Sequence, residues 1–488
     1  MDDPARASLR ALSQAIRDRR LSCRELMEAV LARIAQCNPR HNAIVSPRPD
    51  DELLAEADRH DALLAEGRWL GVLHGIPQAI KDLAMTRGLR TTLGSRILKD
   101  NVPAGDSLFV ERMRAAGAIL IGKTNTPEFG LGSQTYNDVH GITRNAHDAS
   151  LTAGGSSGGA AVAIALGMLP VADGSDMMGS LRNPAAFNRV VGLRPSRGRV
   201  PVWPAIDQFF AQLGTAGPMA RDARDCALLL SVQAGYDARD PLSLDGDGEA
   251  FSRFGLAADT AEPAGGGPAA PAPRVAWLGD LDGHLATADG VLERCAAALR
   301  RLESVGCRIE APGAGVLGLA PEALWECWTT LRSVVAAPPL FAWYRDQASR
   351  ELMKPEAVWE VERALALSAS EVARASQLRT AFYQAWVKLF EQFDFVVLPS
   401  AQVFPFEAER HWPQEVGGRR MDTYHRWMEV VIYATLTGSP AISVPVPRQQ
   451  AGAGVDPVRD LMGVQIIGAP RDDLGVLALA ARYEAAGS

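Results

Sequence analysis

The chain has 488 residues, 47% hydrophobic and 22% charged, the balance of a soluble globular enzyme with two or more domains or one large α/β unit. Lys and Arg number 50 against 57 Asp and Glu, and the formal charge of −7 gives no basic field for nucleic acid or anionic lipid. Six cysteines (Cys23, Cys37, Cys226, Cys295, Cys307, Cys327) without a C-x-x-C pair fit a reducing compartment and argue against a structural zinc.

The opening "MDDPARASLRALSQAIRDRRLS" is charged and helical in period, without an apolar h-region, so no signal peptide is expected. No apolar run reaches the ~18 residues of a membrane span, and a cytoplasmic protein is the expectation. The first 66 or so residues predict two or three amphipathic helices. From Leu73, "HGIPQAIKDL" and "AGAILIGKT" read as buried strands, with "SLFVERMRAAG" between them as a helix ending at Gly117. "GAAVAIALG" predicts a further helix and "LPVADGSD" the strand leaving it. "DTAEPAGGGPAAPAP" (259–273) predicts a surface loop or linker that cannot bury a core. "RVAWLGDL" resumes a strand, "VLERCAAALRRLESVG" a helix, and the region from about 321 to 390 is helical in pattern and rich in Trp. "FDFVVLPSAQ" and "SPAISVPVP" return as strands. Alternating strands and helices predict an α/β layer with a mixed, mostly parallel central sheet.

The stretch "TAGGSSGGAAVAIALG" (152–167) admits several readings. A Walker loop needs a Lys after the glycines, and a Rossmann loop needs a hydrophobic strand before them; "HDASLTA" is not one. Gly155 to Gly159 satisfies G-x-S-x-G with Ser157 as nucleophile, but an elbow also needs that missing strand, and His411 and His425 lie in no recognisable motif. The plain structural alternative is a turn whose serine caps the following helix.

Two further stretches bear on the choice. "HGIPQAIKDL" places Lys81 75 residues before Ser156, and "VADGSDMMGSLRNPAAF" places Ser180 24 residues after it. With "GGSSGG", these resemble the amidase signature family, as do "GKTNTPEFG", "GLRPSRGRVP", "AGPMARDARDCALLL", "TGSPAISVPVP" and "MGVQIIGAP" in order. The resemblance implies the amidase signature fold with a helical substrate-entrance region, as one domain over 1–488. Its parts are N-terminal helices (1–66), a catalytic core (67–258), the loop at 259–273, core again (274–320), a Trp-rich substrate wall (321–390), and core strands with a C-terminal helix (391–488).

It also implies a Ser–cis-Ser–Lys triad: Ser180 as nucleophile, Ser156 as bridging serine after a cis Gly155–Ser156 peptide, and Lys81 as base. The chemistry is sensible by itself. A serine needs a base to take its proton, a neutral lysine can serve if burial lowers its pKa from ~10.4, and a hydroxyl between them donates and accepts. The oxyanion hole would come from the N–H groups of Met177, Met178, Gly179 and Ser180, while Ser157, Asp176 and Arg182 would support the site through hydrogen bonds. Met178 stands where the family has glycine. It would strain the backbone if φ were positive there, and otherwise it would narrow the pocket, the reading preferred here.

The implied activity is hydrolysis of an amide, with possible carbamate or ester turnover, through an acyl-enzyme. Seven of ten tryptophans (Trp325, Trp328, Trp343, Trp359, Trp386, Trp412, Trp427) favour an aryl or hydrophobic substrate, anilides and carbamates included, against the alternative that they are simply core. Two other readings stay open: a glutamine-hydrolysing component of a tRNA-dependent amidotransferase, and a non-catalytic member with a spoiled oxyanion hole. No cofactor and no metal are expected, since the eight histidines form no ligand cluster. The expected partner is a small amide or carbamate, not nucleic acid or membrane, and a homodimer is left open.

Overall fold

Three helices lead the chain in the computed structural model, which describes residues 3–246, 248–257, 271–449 and 456–487. Leu9–Arg17 starts on Ser8, whose hydroxyl accepts from the Ala11 N–H. Cys23–His41 starts on a Ser22/Glu25 capping box and ends at Asn42 in the left-handed region. Asp50–Ala65 follows with three acidic residues in its first turn, where the helix dipole favours them. Their apolar stripes, among them Leu12, Ile16, Leu26, Val30 and Leu53, are fully or almost fully buried in the main core.

Strands β1 (Ile44–Val45), β2 (Pro77–Lys81) and β3 (Ile119–Thr124) form a small sheet in the order β1-β3-β2. β2 and β3 are parallel, and the helix Leu108–Ala115 that joins them closes before Gly117 at φ +93°. A short ribbon follows, β4 (Tyr136–Asn137) with β5 (Gly141–Ile142).

Eight strands make the main sheet: β6 (Val171–Asp176), β7 (Val191–Arg194), β8 (Thr215–Ala220), β9 (Arg274–Trp277), β10 (Arg308–Glu310) and β11 (Phe395–Pro399), then, after the hairpin β12 (Glu415–Val416) and β13 (Arg419–Arg420), β14 (Ala441–Pro445) and β15 (Gly463–Gly468). Their order is β10-β9-β11-β15-β14-β7-β8-β6. The sheet is mixed, as expected, but it is not mostly parallel: only β10–β9 and β9–β11 pair in parallel, and the other neighbours are antiparallel. The reason lies in what is inserted between strands. β6 and β7 point the same way and are joined through the helix Arg182–Asn188, the parallel unit the alternation suggested, yet β8 slots between them and pairs antiparallel with both.

Five helices occupy the Trp-rich stretch, from Pro321–Ala336 to Ala369–Leu389. They carry a second small apolar cluster around Leu340, Met353 and Val361. Most of the segment expected as a loop at 259–273 lies outside the described residues; its last three, 271–273, lead directly into β9. No helix among the described residues is long and apolar enough to cross a membrane.

Candidate active site

β6 is the terminal strand of the main sheet and β2 lies beside it. No backbone ladder joins the two. Instead, the Lys81 N–H donates to both carboxylate oxygens of Asp173 on β6, each at 3.2 Å. This seam places the Lys81 side chain, 1% exposed, over the start of the helix Gly158–Ala165. Its Nζ donates to Ser156 Oγ and Ser157 Oγ at 2.8 Å each, and to Ser175 Oγ at 3.0 Å. Burial lowers the Lys81 pKa to about 7, against the opposing pull of the Asp173 and Asp176 carboxylates.

Ser156 follows a cis Gly155–Ser156 peptide. The surrounding glycines have a packing reason. A Cβ on Gly155 would meet Gln134 N at 2.9 Å, one on Gly158 would meet Thr135 Oγ1 at 2.3 Å, and one on Gly159 would meet Asn125 N at 2.4 Å. The loop is pressed against the backbone of 125–135, and the Asn183 side chain receives the Gly155 N–H at 3.1 Å. Ser157 stands at the cap position of its helix but makes no capping hydrogen bond. Its hydroxyl is committed to Lys81 and to the Ser175 backbone instead, so the helix-cap alternative does not describe it.

Ser180 lies in the turn that leads into the helix Arg182–Asn188. Its carbonyl accepts the Ser157 N–H at 3.2 Å, which ties the two serine stretches together, and the residue is 7% exposed. The structure thus joins Lys81 to Ser156 directly and brings Ser180 alongside through backbone; no hydrogen bond links the Ser156 and Ser180 hydroxyls.

Asp176 organises the turn between β6 and Ser180. It accepts from Gly179 N–H at 2.9 Å, Leu181 N–H at 3.2 Å, and Arg182 Nε and Nη2 at 3.0 and 2.9 Å. Burial would raise its pKa, but Arg182, Arg194 and these N–H groups hold the carboxyl well below the usual range. Arg182 reaches on to the Val431 carbonyl at 3.0 Å. Gly179 therefore spends its N–H inside the turn. The N–H groups of Met177, Met178 and Ser180 have no protein acceptor among the described residues.

Met178 is 4% exposed and its φ lies outside the left-handed region; the strained position is the next one, Gly179 at φ +74°. A Cβ there would also meet the Val431 side chain at 2.8 Å. Gly179→Ala should therefore lower unfolding free energy by about 1–3 kcal/mol and reduce turnover, checked by urea titration beside kinetics.

Ser175 and Asp173 were not singled out by the sequence, although both lie in "VADGSDMMGS". Their contacts exist only because β2 approaches β6 sideways, which no linear pattern announces. The Trp-rich helices touch the site at two points. Arg332, paired with Glu360 at 2.6 Å and Tyr424 Oη at 2.8 Å, turns its Nη1 to Met177 Sδ at 3.5 Å. Trp343 stacks on Phe129 at 5.3 Å, and a Cβ on the adjacent Gly130 would sit 3.8 Å from Ser156 Oγ. Trp325, Trp328, Trp386 and Trp427 are core; Trp343, Trp359 and Trp412 remain partly open. A separate cavity of about 440 Å³, walled by Val403, Phe404, Phe406 and Val416, includes none of these site residues. No cluster of His, Cys, Asp or Glu among the described residues is arranged to hold a metal.

Residues 25–477 match the family model described as Amidase. The chain is 32% identical to an acylamidase of Rhodococcus erythropolis over 97% of its length and 94% of that protein's. It is 33% identical to a glutamyl-tRNA(Gln) amidotransferase component of Ralstonia nicotianae, covering 98% and 97%. A crystal structure of a bacterial aryl acylamidase of the amidase signature family superposes with a TM-score of 0.86 at 27% identity, covering 99% of this chain and 96% of that one. On the family match, the fold and these relatives, the chain belongs to the amidase signature family and is a hydrolase acting on amides.

Proposed function

We propose that the protein hydrolyses acyl amides with aryl or other hydrophobic substituents, through an acyl-enzyme on Ser180. The observation that carries this reading is the buried Lys81 held 2.8 Å from Ser156 Oγ, with its pKa lowered to about 7. At neutral pH a large fraction of Lys81 is an unprotonated amine and can accept a proton. Ser156 passes its proton to Lys81 while taking that of Ser180, and Ser180 Oγ attacks the amide carbon. The N–H groups of Met177, Met178 and Ser180 receive the oxyanion. Collapse sends the proton back through Ser156 to the departing amine, and water then releases the acid by the same relay. A carbamate follows this path, its acyl product losing carbon dioxide.

The hydrophobic preference rests on the partly open Trp343 and Trp359, on Phe129 beside the Ser156 loop, and on the acylamidase relatives. The amidotransferase relative favours a second reading, glutamine hydrolysis. Against it, Asp176 is already paired with Arg182 and Arg332 with Glu360, which leaves neither pair free to hold the ammonium or carboxylate of glutamine. Amine or ammonia release from acetamide, benzamide, an anilide, an aryl carbamate and glutamine separates the two, with Ser180→Ala as control. Anilide or carbamate turnover that disappears in Ser180→Ala is the expected result. Turnover of glutamine alone selects the amidotransferase reading, and none at all points to a non-catalytic member.

The same relay fixes the pH dependence. Protonated Lys81 cannot act as base, so kcat/KM should rise about tenfold per pH unit on the acid side and level off above about pH 7. A pH–rate profile on the best panel substrate checks this.

A further inference from the structure

Resting on the proposed triad, one buried charge beside it has no assigned role. Asp173 is 1% exposed, and apart from its own backbone N–H the donor to its carboxylate among the described residues is the Lys81 backbone N–H. A neutral Asn or Thr oxygen would accept that bond without the cost of a buried carboxylate. The charge therefore calls for a reason beyond joining β2 to β6. Two lysines supply its field: Lys81 itself, and Lys123 on β3, which is fully buried and donates to Ala84 O at 2.8 Å and Thr86 Oγ1 at 2.7 Å rather than to a carboxylate.

We infer that Asp173 is a positioning residue whose carboxylate, lodged at the seam between the two sheets, is the counter-charge that sets how tightly Lys81 holds its proton. The other charges around Lys81 do not replace it. Asp176 also pulls on Lys81, but it is shared with the buried Arg182 and Arg194. Asp82, next in the chain, turns to Thr92 and the neighbouring His140, and Lys123 acts on Asp173 itself. The remaining side chains on Lys81 Nζ are the uncharged hydroxyls of Ser156, Ser157 and Ser175. Asp173 favours the ammonium form while burial opposes it, so the base stays able both to take the Ser180 proton and to return one to the leaving amine.

The test needs no knowledge of the substrate. A fluorophosphonate reacts with an activated serine: Ser180 Oγ forms the bond to phosphorus, fluoride leaves, and the proton passes through Ser156 to Lys81. The pH dependence of that inactivation rate would be compared in the wild type, Asp173→Asn and Asp173→Thr, both of which retain an acceptor for the Lys81 N–H. Removing the negative charge makes neutral Lys81 easier to reach, so the acid limb should move down by about one pH unit in each folded variant. Melting curves identify which variants fold, and either one decides. A limb that stays in place while the rate falls evenly at every pH would overturn the inference and leave Asp173 a purely structural acceptor. Absence of Ser180 labelling in the wild type at any pH would instead sink the triad reading on which it rests.

Discussion

Ser180→Ala and Lys81→Met should each lower kcat on the best amide substrate by roughly a million-fold, and the double variant should fall no further. On the proposed mechanism nucleophile and base act as one device: without Ser180 there is no acyl-enzyme, and without the amine the hydroxyl keeps its proton. Methionine keeps the length and apolar bulk of the lysine stem in a site that is 1% exposed, so it removes the nitrogen without opening a large void. It leaves the hydroxyls of Ser156, Ser157 and Ser175 without the partner they share. Single-turnover assays on both single variants and the double variant give the answer. If the Lys81 effect were only tenfold, or multiplied with that of Ser180, Lys81 would not be the base.

The largest stability effect is expected at Asp176. Asp176→Ala would strand Arg182 and Arg194, both fully buried, and breaking such a pair from one side costs about 3–5 kcal/mol. The Gly179 and Leu181 N–H groups lose their acceptor as well, a further ~1–3 kcal/mol if water does not replace it. Against a total of roughly 5–15 kcal/mol, the variant stands close to unfolding. Asp176→Asn, which keeps an acceptor but loses the charge, should fall between it and the wild type in urea titrations. The pH sign follows from the depressed carboxyl. Its stabilising contribution is complete above the unfolded value near ~3.9 and is lost only as pH falls toward its own, still lower, pKa. Asp176→Ala should consequently be penalised fully at neutral pH and progressively less in strong acid.

The elements that carry the site were legible because each has a local cause. β3 opens on an apolar run, β2 and β6 are short buried segments bounded by turn residues, and the glycine-rich loop needs glycine wherever its backbone meets Gln134, Thr135 or Asn125. The positions of Lys81, Ser156 and Ser180 came from a motif whose spacing survives in the chain. What stayed hidden depends on which strands end up adjacent. The insertion of β8 between β6 and β7 turned an apparently parallel unit into an antiparallel one. The sideways approach of β2 to β6 gave Asp173 and Ser175 their contacts with Lys81. Whether an N–H in a tight turn points outward is a third such case. Four amides were expected to face the oxyanion, and Asp176 turns that of Gly179 away.

The commitment of Ser157 to Lys81 rather than to its own helix has an electrostatic consequence. Ser157, the residue just before the helix Gly158–Ala165, holds Lys81 Nζ at 2.8 Å. The aligned peptide units of a helix give its leading end a partial positive charge of roughly half a proton. That field repels an ammonium and welcomes an alkoxide, so the backbone itself leans toward neutral lysine and toward oxygen that has just given up its hydrogen. Lengthening or unwinding this helix, with every site side chain left in place, would change the ease of the first proton transfer.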